Sequence, residues 1–301
     1  MISIIIPCYN CESFVRRAIE SVLLQTYHDW ELLLVNNNSS DGTQIILEEY
    51  QKRFPHKINT YHEEKSGAQA ARNNGLYNAK GEWIQFLDAD DELMPNKLKR
   101  QLNILSKNDA DIIAGCFIWV KKEKGKFIRI KLVPDGTDIW LSLASSSMGR
   151  TSANLWRKAP LLDIKGWDEK LSSSQEYDLL FRLLKNTAKI YFDTEPSAII
   201  YNMGNSISKS VDKKRNAQII KNWLDLRLEI KGYLKETGQL NGHLNRRIDC
   251  LIFNYLMDKK KFSPNYVNNQ LENLAFDLPL SLKLKRNYKY LVMKFIRRLG
   301  L

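Results

Sequence analysis

The sequence predicts an α/β protein, with a parallel sheet flanked by helices and a helical region after it. In the first third of the chain, short apolar runs alternate with helical patterns, which is the arrangement of βαβ units. Beyond residue 205 the strand patterns stop, while apolar residues still recur at helical spacing. With 301 residues, of which 44% are hydrophobic, the chain can bury one large core or two smaller ones.

The first third contains four predicted strands, made mainly of β-branched and aliphatic residues. They are Ile2–Ile6, Leu32–Val35, Ile58–Tyr61 and Trp83–Leu87, with helices predicted between them at 14–23, 43–50 and 68–79. Continuous apolar strands are typical of a parallel sheet that is covered on both faces. Ligands of such sheets bind beyond the carboxyl ends of the strands. We therefore expect the loops 7–10, 36–41 and 88–91 to converge at one edge of the sheet.

The middle of the chain has a less regular pattern. A helix is predicted from Pro95, which suits a first helical turn, to about residue 106. Two strands, 111–120 and 127–133, form a predicted hairpin around a basic turn. Further helices are predicted at 175–185, 223–233, 244–257 and 266–276.

The formal charge of +12 is concentrated in the last third of the chain. Residues 201–301 hold 20 Lys and Arg against 8 Asp and Glu, whereas residues 1–200 hold 26 of each. This division indicates chemistry in a neutral first part and an anionic contact in a basic second part. From charge alone, the anion is a nucleic acid, a membrane surface or an acidic partner.

The cysteine content and the first residues favour a cytoplasmic protein. Four cysteines are too few for a disulfide scaffold in a chain of this length. Cys8 and Cys11 form a C-x-x-C, but zinc would need a second pair of ligands, so two buried or capping thiols are the preferred interpretation. The sequence opens without the regions of a signal peptide, and it has no run of ~20 apolar residues for a membrane span.

Asp88-Ala89-Asp90-Asp91 is the strongest chemical feature of the sequence. It directly follows the apolar strand that ends at Leu87. Three carboxylates within four residues repel one another, and a divalent cation such as Mg²⁺ or Mn²⁺ relieves that repulsion while keeping positions open for phosphate. We predict a metal site at Asp88, Asp90 and Asp91. The alternative is a solvated acidic turn before the following helix.

Glu176, in the segment Gln175-Glu176-Tyr177-Asp178, is the second candidate. An acid in the first turn of a helix is stabilised by the helix dipole, which is a purely structural explanation. A general base also needs a carboxylate, placed so that it faces the substrate. Spacing alone leaves both explanations open.

Six ordered segments within residues 1–205 resemble the family 2 glycosyltransferases of the GT-A fold, of the bacterial surface-polysaccharide type. The segments are Ser3–Asn10, Ser21–Leu32, Val35–Thr43, Gly67–Gly75, Gly81–Asp91 and Gly166–Glu176. One segment alone is a weak signal, whereas six in order are highly specific. The resemblance implies a Rossmann-like nucleotide-diphospho-sugar transferase domain at 1–205, with a nucleotide-sugar half at 1–110 and an acceptor half at 111–205. A basic helical region at 206–301 follows.

The resemblance also implies a reaction and a set of site residues. The reaction moves a sugar from a nucleotide-diphosphate donor to a saccharide or lipid-linked saccharide acceptor, with inversion at the anomeric carbon. The matching positions are Pro7, Tyr9, Asn37, Arg72 and Asp88 for the donor, Asp88, Asp90 and Asp91 for Mn²⁺ or Mg²⁺, and Glu176 for the general base.

Two departures from the family pattern concern the donor and the base. The family often has adjacent acids in the base-binding loop, where this chain has Asn36-Asn37-Asn38. An amide can meet uracil or thymine as acceptor and donor together, whereas guanine suits a carboxylate better, so a uridine donor is favoured and a thymidine donor is second. Gln175-Glu176 replaces the common Glu-Asp, which keeps the carboxylate but lengthens its reach by one methylene.

Three residues of the acceptor half are candidates for acceptor contacts, namely Asn154, Trp156 and Trp167. Aromatic faces pack against sugar C–H surfaces, and an amide can read hydroxyl groups. A buried core position for each tryptophan is the alternative.

Residues 282–301 predict an anionic membrane contact. They carry seven Lys and Arg and no acid, and apolar residues recur among them at helical spacing. A basic amphipathic helix of this kind binds a membrane interface; a C-terminal helix docked on its own domain is the alternative. No nucleic acid is expected, because the basic residues are not accompanied by a nucleic-acid-binding motif. The predicted location is therefore cytoplasmic, at the inner face of the cell membrane if the helix binds lipid.

Two other function classes share some of these features. A sugar-phosphate nucleotidyltransferase also uses a nucleotide-binding α/β sheet and a metal, but it would want a glycine-rich phosphate loop where this chain has Pro7-Cys8-Tyr9-Asn10. A non-catalytic nucleotide-sugar-binding protein would not need both the aspartate cluster and Glu176. A dehydrogenase is disfavoured because the chain lacks G-x-G-x-x-G.

Overall fold

The computed structural model describes residues 1–123, 125–202 and 213–282. The chain divides into two compact units, Met1–Lys209 and Ser210–Leu301. The division lies a few residues after the boundary at 205 that the sequence predicts. Most of the predicted membrane-binding segment, 282–301, lies outside the described residues.

Among the described residues, nine strands form a single sheet in the first unit. They are β1 (Ile2–Cys8), β2 (Trp30–Asn36), β3 (Ile58–His62), β4 (Trp83–Phe86), β5 (Glu92–Leu93), β6 (Ile112–Glu123), β7 (Lys126–Leu132), β8 (Leu155–Arg157) and β9 (Ile190–Asn202). Their order is β3-β2-β1-β4-β8-β6-β9-β5, and β7 pairs with β6. The helices of this unit are α1 (Val15–Leu23), α2 (Thr43–Arg53), α3 (Ala68–Asn78), α4 (Lys97–Leu105), α5 (Ile139–Ser145), α6 (Lys158–Asp163) and α7 (Gln175–Lys185).

The four strands predicted in the first third form the parallel half of the sheet, β3-β2-β1-β4. Every residue of β2 and β4 is buried, because helices cover both faces. Helix α3 packs closely on β1 at Gly75, where a Cβ atom would lie 2.4 Å from Ile5 Cγ2. Since these strands are parallel, their carboxyl ends and the loops that follow lie at one edge.

The other half of the sheet is mixed and was only partly predicted. Strand β8 runs antiparallel to both β4 and β6, while β6 and β9 are parallel over a long register. The predicted hairpin is confirmed as β6 and β7, with a shorter turn than the sequence suggested. Strands β5, β8 and β9 were not predicted from the sequence.

The described part of the second unit consists of three helices, α8 (Lys213–Glu236), α9 (Gly242–Lys259) and α10 (Pro264–Asn273). Their buried side chains are mainly aliphatic, among them Leu224, Ile230, Leu234, Ile248, Ile252 and Leu256. Arg227 is also fully buried, and its guanidinium lies over the Trp223 ring, 4.2 Å from the centroid. Within the described residues, no helix has both the length and the apolar character needed to cross a membrane.

Candidate active site

The loops after β1 and β2 are joined by hydrogen bonds at the carboxyl edge of the sheet. The backbone N–H of Asn37 donates to the Cys8 carbonyl at 2.8 Å, and the backbone N–H of Ser40 donates to Asn10 Oδ1 at 2.8 Å. Pro7 is the partly buried next-to-last residue of β1, and Tyr9, just beyond the strand, is 64% exposed. The two loops therefore form one surface, from which the Tyr9 ring projects.

The side chain of Asn37 holds this surface to the segment that precedes α3. Its Nδ2 donates to the carbonyl oxygens of Glu63 at 2.9 Å and Lys65 at 2.8 Å, and its Oδ1 accepts from the Gly67 N–H at 2.8 Å. Both amide hydrogens are thus used within the protein. The Asn37 amide therefore shapes the loop, while the reading of a pyrimidine predicted for the Asn36-Asn37-Asn38 run stays a prediction.

The aspartate cluster after β4 divides into two exposed carboxylates and one buried carboxylate. Asp90 is exposed and the Asp88 side chain is 36% exposed, whereas Asp91 is only 3% exposed. Asp91 accepts hydrogen bonds from Ser152 Oγ at 2.6 Å and from the Tyr201 N–H at 3.2 Å. Because Asp91 is committed to these partners, the metal role predicted for it is not retained.

Burial and mutual repulsion shift the pKa values of two of these acids. Burial, followed by the charges of Asp88 and Asp90, raises the pKa of Asp91 well above its usual value. Desolvation, followed by the Asp88 charge, raises the pKa of Asp90 to about 6. The loop therefore holds more negative charge than it can easily stabilise by itself.

Ser152 connects this loop to the core. Its Oγ accepts from the Asp88 N–H at 3.2 Å in addition to donating to Asp91. Its carbonyl accepts from Gln85 Nε2 at 3.0 Å, and Gln85 Oε1 accepts from Lys97 Nζ. Lys97 also donates to Gln101 Oε1 at 2.7 Å, and its full burial lowers its pKa well below the usual value. A buried polar network thus supports the loop from α4.

Arg72 of α3 reaches the exposed end of the cluster. Its Nη2 lies 2.6 Å from Asp88 Oδ1, and its guanidinium lies over the Trp167 ring, 4.6 Å from the centroid. Trp167 meets Phe86 edge to face at 5.2 Å and is almost fully buried. Trp167 is therefore the support on which Arg72 rests, not an open platform for a sugar.

Asn73, next to Arg72, fixes the segment that carries Trp167. Its Oδ1 accepts from the Trp167 N–H at 2.8 Å, and its Nδ2 donates to the Trp167 carbonyl at 2.9 Å and to Glu169 Oε1 at 2.8 Å. Asn73 lies within the segment Gly67–Gly75 that resembles the family, but no role was predicted for it. A side-chain clamp across 94 residues leaves no signal in the spacing of one sequence.

Glu176 lies in the first turn of α7 and is 9% exposed. Burial raises its pKa to about 8; Arg150 lowers it, Asp88 raises it and Arg72 lowers it. The pKa of Glu176 thus depends on the charges of Arg150, Asp88 and Arg72 as well as on burial. A carboxylic acid with a pKa near neutral pH is well suited to exchange a proton with a substrate.

Asn154 is fully buried and holds Glu176. Its Nδ2 donates to Glu176 Oε1 at 3.3 Å and to the Met148 carbonyl at 3.1 Å, while its Oδ1 accepts from the Gly115 N–H at 2.9 Å. Gly149 lies against this amide with φ +79°, and a Cβ there would lie 2.1 Å from Asn154 Oδ1. Asn154 thus orients the acid, and the direct acceptor contact predicted for it does not fit its burial.

Trp156 does not take part in the site surface. It lies in β8, where it is registered with Ile84 of β4 and Ile112 of β6, and it has no exposed surface. Its predicted acceptor role is replaced by a core role, which was the stated alternative.

The exposed carboxylates of Asp88 and Asp90 fit a divalent cation. Among the described residues, no group of three or more His, Cys, Asp or Glu side chains is arranged so that it could hold a metal ion. Magnesium commonly binds through one or two carboxylates and completes its octahedron with water and substrate phosphate. Asp88 and Asp90, whose charges repel strongly enough to raise the pKa of Asp90, match that donor set.

Comparison with known proteins gives a family for most of this unit. Residues 3–163 match glycosyl transferase family 2. The chain is 36% identical over 201 residues to an uncharacterized glycosyltransferase of Rickettsia bellii, which covers 64% of this chain and 28% of the relative. It is 39% identical over 131 residues to the UDP-Glc:alpha-D-GlcNAc-diphosphoundecaprenol beta-1,3-glucosyltransferase WfgD of Escherichia coli, covering 42% of this chain and 51% of the relative. The chain thus spans less than two thirds of the length of these curated relatives.

Solved structures share the fold. TarS of S. aureus, in complex with UDP-GlcNAc, superposes with a TM-score of 0.60 at 18% identity, covering 91% of this chain and 76% of that one. The mannosyltransferase PcManGT of Pyrobaculum calidifontis, in complex with GDP-Man and Mn²⁺, gives 0.60 at 14% identity, covering 99% and 82%. The predicted GT-A α/β fold with a helical C-terminal part is therefore confirmed.

Proposed function

The chain belongs to glycosyl transferase family 2, and on this premise we propose that it transfers a sugar from a nucleotide-diphosphate donor to an acceptor hydroxyl, with inversion at the anomeric carbon. One observation carries the proposal: the acid Glu176 is buried and held by Asn154, and the charges of Asp88 and Arg72 influence its pKa. This arrangement supports a proton acceptor on one side of the sugar and a diphosphate site on the other.

Asp88 and Asp90 are proposed to hold Mn²⁺ or Mg²⁺ through their exposed carboxylates. When bound, the cation neutralises the negative charge that grows on the departing diphosphate. Arg72 holds Asp88 in place by its 2.6 Å ion pair and adds a positive charge beside the diphosphate. The exposed Tyr9 ring and Pro7, at the end of β1, supply an apolar surface for the nucleoside.

Glu176 is proposed to be the general base. Its carboxylate takes the proton of the acceptor hydroxyl as that oxygen bonds to the anomeric carbon, and the bond from this carbon to the phosphate oxygen breaks with the electron pair leaving on the diphosphate. One in-line displacement inverts the carbon and needs no covalent intermediate. Asn154 keeps the Glu176 carboxylate in position through its 3.3 Å hydrogen bond.

A UDP-sugar is the proposed donor, and a saccharide or lipid-linked saccharide is the proposed acceptor. The support is the relative WfgD, whose name gives a UDP-Glc donor and a diphosphoundecaprenol-linked acceptor. Since the Asn37 amide is committed to the protein, we expect nucleobase selection to depend on backbone groups of the loops after β1 and β2. A lipid-linked acceptor would bring the protein to the inner face of the cell membrane.

The test is a panel of radiolabelled UDP-, dTDP- and GDP-sugars with Mn²⁺, in which sugar release and transfer are measured. We expect turnover with a UDP-sugar and a loss of 10²- to 10⁴-fold in Glu176→Gln, on the scale of a lost general base. Nucleotide affinity of that variant, measured by calorimetry, should match that of the parent. Glu48→Gln, a change at an exposed acid of α2, is the matched control and should keep full activity. Turnover by Glu176→Gln close to that of the parent would refute the assignment.

A further inference from the structure

The tip of the β6–β7 hairpin exposes large apolar side chains beside cations. Phe127 is 58% exposed and Ile128 is 37% exposed, at the start of β7. Lys126 and Arg129 flank them and are also exposed. Phe127 is registered opposite Lys122, whose Nζ lies 6.0 Å from its ring centroid. Nothing in the donor site or in the proposed reaction uses this surface.

The cations of this hairpin are only partly neutralised. Lys121 pairs with Glu123 at 2.6 Å, and Lys131 lies 4.0 Å from Glu195. Among the described residues, Lys122, Lys126 and Arg129 have no acid within ion-pair distance. The hairpin therefore carries a local excess of positive charge, although residues 1–200 sum to zero.

The base of the hairpin is close to the aspartate cluster. Val120 of β6 is registered with Arg129 on one side and with Tyr201 of β9 on the other. The Tyr201 N–H holds the Asp91 carboxylate at 3.2 Å. At about 3.4 Å per residue, β6 carries the tip roughly 10 Å beyond this point. A surface bound at the tip would thus lie beside the edge of the donor site.

We infer that the β6–β7 hairpin binds the surface of an anionic lipid bilayer. Cations next to an exposed aromatic ring and an exposed aliphatic side chain match an interface where acidic headgroups meet acyl chains. A hydrophilic polyanion would contact only the cations, and its binding would not require Phe127 and Ile128 to be exposed. A second copy paired along the edge of β7 is opposed by the Lys and Arg side chains of that strand, which repel an identical edge.

The test measures binding of the full chain to vesicles of phosphatidylglycerol and phosphatidylcholine in equal amounts. The charge variant is Lys122→Gln, Lys126→Gln, Arg129→Gln, and its matched control is Lys52→Gln, Lys99→Gln, Lys107→Gln. The control changes three exposed lysines elsewhere on the first unit and gives the same net charge. We expect the charge variant to bind on the order of a hundredfold more weakly, since each basic residue near anionic lipid contributes roughly a fivefold gain. The control should bind as the parent does, and equal weakening of both variants would overturn the inference.

An apolar variant, Phe127→Thr with Ile128→Thr, distinguishes lipid from other partners, and threonine has a side chain that suits a strand. We expect its vesicle binding to fall on the order of tenfold, because both side chains lose contact with acyl chains. Binding equal to that of the parent would instead assign the hairpin to a hydrophilic polyanion. A parent dimer in analytical ultracentrifugation that either hairpin variant dissociates would assign it to a second copy. Thermal unfolding checks that all variants fold, and vesicle binding needs no transferase activity, so this result is independent of the proposed reaction.

Discussion

Glu176 combines two properties that rarely occur together, a buried carboxyl group and a position next to charged partners. Burial favours its neutral form, and the resulting pKa of about 8 lies far above the ordinary 4.5. A carboxyl group with this pKa loses its proton in the pH range where enzymes usually operate. The pH dependence of the protein should therefore report on this one residue.

We expect kcat/KM to rise with pH and to level off above about 8, because only the ionised Glu176 can accept the acceptor's proton. The measurement is a pH–rate profile of the parent with saturating cation. A profile that is flat between about pH 6 and about pH 9 would assign the base to another group.

Stability should change in the opposite direction over the same range. Between 4.5 and about 8 the folded state keeps a proton on Glu176 that the unfolded chain has released, so the free energy of unfolding falls as the pH rises. Glu176→Gln removes this contribution. The variant should therefore lose less stability than the parent over this window, as measured by urea unfolding at several pH values. Parallel curves for parent and variant would contradict the raised pKa.

Ser152 is the residue that holds two members of the aspartate cluster at once. Ser152→Ala removes the donor to Asp91 and the acceptor of the Asp88 N–H. We expect a loss of about 1–3 kcal/mol in unfolding free energy, the usual effect of leaving a buried polar group without its partner. The apparent affinity for Mn²⁺ should fall as well, because the loop is less fixed.

The control for this change is Ser145→Ala, at an exposed serine at the end of α5. It should leave both unfolding and Mn²⁺ dependence unchanged. A Ser152→Ala protein with the stability and Mn²⁺ dependence of the parent would show that the two hydrogen bonds contribute little.

At the scale of elements, the contact of α3 with β1 fixes the site, since α3 carries both Arg72 and Asn73. Gly75→Ala would place a Cβ 2.4 Å from Ile5 Cγ2 and push the helix off the strand. We expect a destabilisation of about 1–3 kcal/mol, typical of overpacking, together with lower activity. Gly232→Ala, in α8, meets nothing within 4 Å and should stabilise by about 0.5–1 kcal/mol. Equal effects of the two variants in thermal unfolding would rule out the packing explanation.

The strands and helices differ in how well the sequence predicts them. Strands β1 and β2 contain the apolar runs Ile4–Ile6 and Leu32–Val35, which are fully buried, and α7 was predicted with its observed bounds. Strand β8 has three residues and β5 has two, too few for any periodicity. Strand β9 is interrupted by Asp193 to Pro196, where the register with β6 shifts. Long-range pairing, which a local pattern does not contain, stabilises these strands.

In the candidate site, too, some features were predicted from the sequence and others were not. The resemblance to the family implied that Asp88, Arg72 and Glu176 belong to one site, whereas spacing alone left the role of Glu176 open. The spacing of the aspartates could not show that Asp91 turns inward towards Ser152 and Tyr201. Nor could it show that the side-chain amide of Asn37 donates to backbone carbonyl oxygens of the protein. Such details depend on hydrogen bonds between residues far apart in the chain.

At the scale of the whole molecule, the positive charge has two locations. One is the local excess on the β6–β7 hairpin, and the other is the last third of the chain, which holds the formal +12. Both are proposed lipid contacts, so their contributions to binding free energy should add if the two act independently.

A chain that ends before Leu280 loses seven Lys and Arg of residues 282–301 and no acid from that segment. We expect it to bind anionic vesicles more weakly than the full chain but to remain sensitive to the hairpin charge variant. Sedimentation with phosphatidylglycerol vesicles compares the full chain and the truncated chain, each with and without the hairpin charge variant. Equal sedimentation of the truncated and full chains would remove the C-terminal segment from the proposal.

The inward turn of Asp91 makes the cation and the donor thermodynamically linked. With only Asp88 and Asp90 exposed, the protein offers a cation few ligands, and the diphosphate must supply others. Each partner then raises the affinity of the protein for the other by the same factor. Calorimetry should find that UDP tightens Mn²⁺ binding as much as Mn²⁺ tightens UDP binding. The protein would thus retain the cation only while a nucleotide is present, and the cation and the spent nucleotide would leave together.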